Sequence, residues 1–538
     1  MLSLKMPRAV RAAGIVGLLL TLGSGSVFAQ NTLHTWIGGA STVWTNAANW
    51  SDGIVPLTTN DDALVDNNPA QSSVAVYTVT NGAAISNGTL TVDLGDAVTF
   101  AKENVQGGAT LYFDGSLNNA GTFTIGGSGS GTSHGSSLYV TFARAGVDLN
   151  ATSGVIYAKS LTGYRRNSVT LNVPAATTNS GTIRVQNISG QGGGKIRLIL
   201  SGGSSPVFVN NGLVSLEGSG SDNGAGGNQP WAAMGPGTSG AALTLAGTGT
   251  LSLRSNLSHQ PDSFAVFAGM TSGTSLTNAA DHTIQGNGYI GLNIQDGSTG
   301  NTISAFKFTT LVNQGLIQAV GSASNTWLQI EPNGGTIVNA AGGRMVARLG
   351  TGTVMRVGGN VTPTSFTNNG LLEARTGTLV SIGTATVMRI NGELRGGGTF
   401  AVATNLSLSA SATLAPGDSA AEDGTGDSLV GAVAVTGNLA LASSTLLNVQ
   451  LGAPATAGVD YDTVNVSGTL TLDGTLTIEM LPGFRRLGSY RLFTFQPGAE
   501  NLTDNGLSVP NDYHLAVNTE AGTVDLVGNP PGTMVLFN

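Results

Sequence analysis

The chain has no cysteine among its 538 residues. That removes disulfides, thiolate metal sites, cysteine nucleophiles and a lipidated N-terminal cysteine. Charge is scarce as well: Asp, Glu, Lys and Arg together make up 10%, against about 25% in an ordinary globular protein. Such a composition excludes coiled coils and helical bundles, which are rich in Glu, Lys and Arg. Only 22 residues are basic and the formal net charge is −8. A nucleic-acid partner, whose phosphates demand Lys and Arg, is excluded on that ground. Aromatic residues amount to 6%. No apolar run approaches the roughly twenty residues of a membrane helix. Disorder is also excluded, because 40% of the residues are hydrophobic and a disordered chain combines low hydrophobicity with high charge.

Glycine is what the chain has in excess, with 80 residues, about twice the usual share. It follows no three-residue period and proline numbers only 17, so this is not collagen. The excess belongs to a turn-rich, all-β protein.

At the N-terminus, Lys5, Arg8 and Arg11 flank an apolar run from Ala12 to Leu22, followed by Val27-Phe28-Ala29. Positive residues, a short apolar stretch and small side chains before a cut at Gln30 describe a secretory signal peptide over 1–29. The mature chain is then expected to be exported and to contain no transmembrane span.

The body repeats itself. An apolar residue, a variable one, Asn, a Gly within two or three positions and a strand start recur as Leu117 to Phe123, Thr177 to Ile183, Phe208 to Val214, Leu311 to Ile317 and Phe366 to Leu372. Looser copies start at Leu276 and Ile337. The Asn positions are 119, 179, 210, 278, 313, 339 and 368, with separations of 60, 31, 68, 35, 26 and 29. The long intervals are about double the short ones, so the unit is roughly 25 to 35 residues. Between the Asn-Gly elements lie short alternating runs such as Leu243-Thr244-Leu245 and Leu251-Ser252-Leu253, the period-two mark of strands. A unit this small hides its apolar side only by stacking on copies of itself. A parallel β-solenoid over 75–415 follows, with Asn and Gly at its corners and stacked Asn side chains forming a ladder.

The two ends differ from the body. Residues 30–74 hold Trp36, Trp44 and Trp50, three of the five tryptophans. They are expected either to cap the open end of the stack or to offer flat rings on which sugars stack. Residues 416–429 form an acidic Gly/Ala-rich loop with Asp418, Glu422, Asp423 and Asp427. It is expected to be solvated, with a calcium site as its alternative. Residues 430–538 then show crisp strands at Val464, Leu470 and Leu476 and a cluster of Phe484, Tyr490, Phe493 and Phe495. A C-terminal β-cap or small β-sandwich is expected there.

The Trp-x-Gly-Gly and Asn-Trp element, the Asn-x-Gly strand repeats, the stretch Leu394 to Gly417 and the segment Gly458 to Gly468 followed by LTLDGTLTI resemble bacterial exported β-strand-repeat proteins. These are similar to autotransporter-type β-helix passengers. The resemblance implies a right-handed parallel β-helix shown outside the cell. Autotransporters end in a membrane barrel of about twelve strands, each about ten residues long. The residues after the repeats are too few for that barrel as well as the C-terminal element.

Motifs that suggest chemistry are weak. Gly131-Thr132-Ser133-His134-Gly135 fits a hydrolase nucleophile pattern and Gly286 to Gly291 fits a dinucleotide pattern, but neither is followed by the helix its chemistry requires. His34, His134, His259, His282 and His514 have no closely spaced partner, so a zinc site is not expected and the imidazoles are placed on solvated strands or loops. Asp460 and Asp462 are expected to face solvent. A polysaccharide lyase or hydrolase on the same fold needs two converging carboxylates. Asp262, Asp281 and Asp296 lie 19 and 15 residues apart, neither a clear coil length. The sequence thus points to an exported non-enzymatic solenoid, adhesin-like or structural, secreted or at the cell surface, without cofactor. Its expected partners are polysaccharide, extracellular matrix or cell-surface components. A carbohydrate-binding protein or a polysaccharide lyase or hydrolase is the alternative, and the periplasm an alternative location.

Overall fold

The computed structural model describes residues 31–530, apart from 39, 67–73, 80–83, 103–106, 128–135, 146–148, 160–167, 188–194, 219–230, 256–263, 270–272, 292–293, 296–301, 304–307, 322–326, 332–333, 349–352, 359–362, 386 and 420–429. The signal-peptide segment, the serine motif at 131–135 with His134, and His259, Asp262, Asp296, Glu422, Asp423 and Asp427 lie outside them.

The protein is all-β, about 60% strand, and forms a parallel β-solenoid of about 12 turns. At about 4.8 Å per turn the stack is roughly 58 Å long. Each turn visits three sheets in the same order. One complete turn runs through Thr178–Asn179 on sheet 1, Thr182–Asn187 on sheet 2 and Lys195–Ser201 on sheet 3. The next turn repeats this as Val207–Asn210, Leu213–Gly218 and Trp231–Pro236. Paired positions on sheet 2 lie between 20 residues (Glu393 with Thr413) and 37 residues (Leu213 with Thr250) apart. The variation is absorbed in the connections, so the strands keep their register.

Alternation does the packing. In Thr182–Asn187 the residues Ile183, Val185 and Asn187 are buried, while Thr182, Arg184 and Gln186 are half-buried. Successive side chains of a strand point to opposite sides, so one apolar residue in two lines the interior. Register then places like on like. Phe123, Ile156, Ile183, Val214, Leu251, Ile284 and Ile317 form one internal column down sheet 2, each paired to the next. All are at most 1% exposed.

The corner between sheets 1 and 2 explains the Asn-x-Gly spacing. The chain turns there so tightly that successive corners touch. A Cβ on Gly212 would lie 2.1 Å from the carbonyl oxygen of Gly181, and one on Gly370 would lie 2.1 Å from that of Gly343. Close approach of stacked backbones is what requires glycine at these two positions.

The stack extends past both boundaries drawn from the sequence. At the start, Thr32–Trp36 already pairs in parallel with Asp61–Val65, which pairs with Leu90–Val92. The tryptophan segment is therefore itself a coil. After the acidic stretch, Thr399–Ser407 pairs in parallel with Ala432–Ala440, and Leu446–Leu451 with Thr475–Met480. Antiparallel strand pairing joins Ile294–Gln295 to Thr302–Ile303 in a small two-stranded sheet of their own, and at the end of the chain Thr523–Gly528 pairs antiparallel with both Ser489–Thr494 and Tyr513–Asn518. This hairpin covers the last parallel strand of sheet 3, which would otherwise be an open edge. The compositional change at 416–429 marks an insertion between strands, which composition alone does not separate from a domain break.

Helix is confined, among the described residues, to two three-residue turns, Ala47–Asn49 and Ala499–Asn501. None of their helices is long and apolar enough to cross a membrane.

Candidate functional site

Three places concentrate polar groups: the N-terminal end, the interior corner of sheet 1 and a shallow pocket on the outer face of sheet 2.

At the N-terminal end, Trp36, Trp44 and Trp50 are 0, 1 and 2% exposed. Their ring centroids lie 5.3 Å (Trp36–Trp50), 4.7 Å (Trp44–Trp50) and 6.3 Å (Trp36–Trp44) apart. Trp44 continues onto Phe100 at 5.7 Å, and Phe100 onto Phe123 at 5.6 Å. The indole N–H of Trp50 donates to the Trp44 carbonyl at 2.8 Å. The expectation of a sugar-stacking platform is corrected on this point, because the rings pack on one another and leave no face open to a sugar. Beside them, His34 is 1% exposed and held between Asp52 Oδ2 at 2.7 Å and Asp61 Oδ1 at 3.3 Å. Burial works against the Asp61 carboxylate, yet the amides of Thr58 and Leu57, the Thr58 hydroxyl and His34 hold its carboxyl below the usual range. His34 is thus a structural clamp and not a solvated residue.

At the corner of sheet 1 runs a buried asparagine ladder. Asn119 donates to Asn150 at 2.8 Å, Asn150 to Asn179 at 2.9 Å and Asn179 to Asn210 at 2.8 Å, always Nδ2 to Oδ1. Farther along, Asn278 donates to Asn313 at 2.9 Å, Asn313 to Asn339 at 2.8 Å and Asn339 to Asn368 at 2.6 Å. The coil between the two runs has no such residue, since pairing sets Leu245 opposite Asn278. His282 fills the gap. Asn210 Nδ2 donates to His282 Nε2 at 3.1 Å, and His282 Nδ1 donates to Asn278 Oδ1 at 2.8 Å. An amide nitrogen only donates, so Nε2 must accept and the proton sits on Nδ1. The neutral ring therefore passes the ladder on in its own direction. Burial pushes the imidazole pKa down to about 4. The ladder ends at Ile390, which takes the next position after Asn368.

The pocket has a volume of about 260 Å³. It lies over four consecutive strands of sheet 2: Glu393–Gly396, Thr413–Pro416, Leu446–Leu451 and Thr475–Met480. Arg395, Pro416, Gln450, Glu479 and Asp462 line it. Asp462 is fully buried, contrary to the solvent-facing position expected for it. Its two oxygens accept from the amides of Gly431 at 2.8 Å and Gln450 at 2.7 Å. Burial pushes its carboxyl up to about 7, while those amides and the Arg395 guanidinium pull downward and Glu479 adds to the rise. Gln450 Nε2 donates to Glu479 Oε2 at 2.9 Å, whereas the buried Gln450 Oε1 has no hydrogen-bond partner. Arg395 Nε donates to Glu393 Oε1 at 2.5 Å. No spacing along the sequence signals this pocket, because its residues come from successive coils and one corner.

The remaining expected residues are dispersed. Asp418 is 5% exposed and accepts from the amides of Gly397 at 2.8 Å and Thr376 at 3.1 Å. Glu373, fully buried, accepts from Ser419 N at 2.8 Å. These three bonds tie the start of the acidic stretch to the end of sheet 2, so Asp418 is a structural acceptor and not part of a solvated loop. Gly286 to Gly291 falls within the strand Thr283–Ile290 and just after it. His514 Nδ1 meets Asn529 Oδ1 at 2.7 Å. Among the described residues, no three His, Asp or Glu side chains gather as metal ligands would.

No protein family matches the chain as a whole or in part. Over 119 residues, 21% of its length, the chain is 37% identical to the Adhesin BmaC autotransporter of Brucella suis biovar 1 (strain 1330). The matched stretch spans 3% of that adhesin. Similarity to an autotransporter adhesin and a parallel β-solenoid thus occur in the same chain.

Proposed function

We propose that this chain is an exported, non-enzymatic rod that presents an adhesive surface outside the cell. The observation that carries the reading is the stretch shared with an adhesin, set in a solenoid whose apolar residues face inward. Outward positions of the parallel strands carry Thr, Ser, Arg and Gln, as in Thr182, Arg184 and Gln186. Each turn adds a similar outer strip, so weak contacts repeat along the rod and sum by multivalency. Polysaccharide, extracellular matrix and cell-surface components are the partners this geometry suits.

Fractionation of the native cells tests the location. The chain is expected in the medium or at the surface, cleaved when intact cells meet external protease. Recovery from the cytoplasm would overturn the export reading. Release of reducing ends or unsaturated sugars from a polysaccharide panel would overturn the non-enzymatic one.

A further inference from the structure

The two ends of the stack are finished differently. At the N-terminal end the outer edges of the first strands are covered. Ser51 N donates to Thr35 O at 2.9 Å beside the Trp36–Trp50 bridge, and Trp44 N donates to Val76 O at 2.8 Å beside the Val43–Val76 bridge. At the C-terminal end sheet 3 finishes in Tyr513–Asn518. This strand pairs along one side with Thr523–Gly528 and, among the described residues, with no strand on the other. Alternate residues of an antiparallel strand aim their N–H and C=O groups to opposite sides, so half of its six residues present both groups outward. Folds blunt such edges with charge, proline or a bulge. Here the strand reads Tyr-His-Leu-Ala-Val-Asn, its register with Thr523–Gly528 is unbroken, and Val517 is 40% exposed. The other strands of the last turn, Thr475–Met480 and Leu502–Asp504, each carry an acid, Glu479 and Asp504.

Charge flanks the open edge unequally. Beside its start lie Arg485 and Arg486, both exposed. Arg486 Nη2 donates to Asp512 Oδ1 at 2.6 Å, which leaves Arg485 as excess positive charge. Past its other end lies the exposed Glu520, and Gly498 N donates to Thr519 O at 2.9 Å, which brings the exposed Glu500 to the same end. An edge that is positive at its start and negative past its end is complementary to itself when reversed. A two-fold axis through the strand sets the arginines of each copy against Glu520 of the other, whereas a parallel copy would set like charge on like.

We propose that Tyr513–Asn518 pairs antiparallel with the same strand of a second copy, so that sheet 3 runs on across the axis and two rods join by their C-terminal ends. Such an interface is isologous and closes on itself, giving dimers and not filaments. The dimer goes beyond the rod reading, since contact along the outer strips does not require it. It doubles the strips that one particle presents.

Sedimentation of the full chain tests this. Dimer should replace monomer as the concentration rises from about 1 to about 200 µM, the range open to a small interface. Raising the salt from about 0.05 to about 0.5 M should weaken it about threefold or more, because the flanking charges are exposed and screened. Val517→Lys should weaken it about tenfold or more by placing charge on the edge, with the melting curve kept. Glu520→Arg, and Arg485→Glu combined with Arg486→Glu, should each lose self-association. A mixture of those two proteins should regain it, because each heterodimer contact again joins opposite charges. Amide exchange over His514–Asn518 should slow as concentration rises. A chain still monomeric at the highest concentration, a dimer indifferent to Val517→Lys, a mixture that stays monomeric, or exchange independent of concentration would overturn the proposal.

Discussion

Replacing His282 by leucine should cut the asparagine ladder at its one non-asparagine rung. The ring is 1% exposed and holds Asn210 Nδ2 at 3.1 Å and Asn278 Oδ1 at 2.8 Å. Leucine fills much of the space but leaves both amide atoms buried and unmet. Each such group costs about 1–3 kcal/mol, so about 4 kcal/mol is a central value for the pair. A solenoid propagates stability between neighbours, so the loss should be local. Hydrogen exchange over Val207–Asn210 and Ser275–Asn278 should accelerate by up to about a thousandfold, at 1.4 kcal/mol per factor of ten. His282→Gln, which can accept and donate, should restore part of the protection. The pH dependence supplies the independent sign. The folded pKa is depressed, to about 4 from 6.5, so the unfolded state binds the proton first on acidification. The rung's contribution is then complete above about pH 6.5 and disappears as pH falls through 4, a difference of about 3 kcal/mol. Wild type and the leucine variant should therefore converge in protection, corrected for intrinsic exchange, as the pH approaches 4. Equal exchange in the two proteins at pH 7.5, or a difference that does not shrink on acidification, would rule out His282 as a rung of the ladder.

Three other outcomes follow from the packing. Asp462 works in the opposite sense to His282: its raised carboxyl near 7 makes its contribution complete below about pH 4 and lost as pH rises through 7, so Asp462→Asn should flatten the fall in stability between about pH 4 and pH 7, measured by urea titration. Gly212→Ala places a methyl 2.1 Å from a carbonyl oxygen of the neighbouring coil, and should cost several kcal/mol or prevent folding, whereas alanine at Gly342, with nothing within 4 Å, should cost only the strain of its positive φ. Trp44→Ala opens a cavity among buried rings and should cost about 3–5 kcal/mol, read as a lowered melting temperature; loss of polysaccharide binding with unchanged melting would restore the platform role for the tryptophans.

The ladder shows what a sequence can carry and where it stops. Seven asparagines are legible because six of them sit two residues after an apolar position, Asn179 sits two after Thr177, and all come shortly before a Gly or strand start. Asn150 was not, although it fills the interval of 60 between Asn119 and Asn179, because Asp148 takes the apolar position of the pattern. The interval of 68 was doubled for a different reason: its middle coil has no amide, and a histidine from the following corner reaches back to complete the chain of bonds. No local pattern encodes that reach. The corner positions of the glycines are legible in the same pattern, but at Gly212 and Gly370 the cause is contact between stacked backbones and not positive φ. Asp462 stayed hidden for the same reason as His282. Its partners, Gly431 and Gln450, are 31 and 12 residues away, and burial depends on coils that pattern alone cannot align.

The adhesive rod itself is tested most directly by attaching the purified chain to beads at graded density and measuring their retention on immobilised polysaccharides and matrix proteins under flow. Retention is expected on at least one surface, rising steeply with density as weak contacts sum, with no chemical change in the surface. Absence of retention on every surface at the highest density, or degradation of the surface in place of retention, would contradict it.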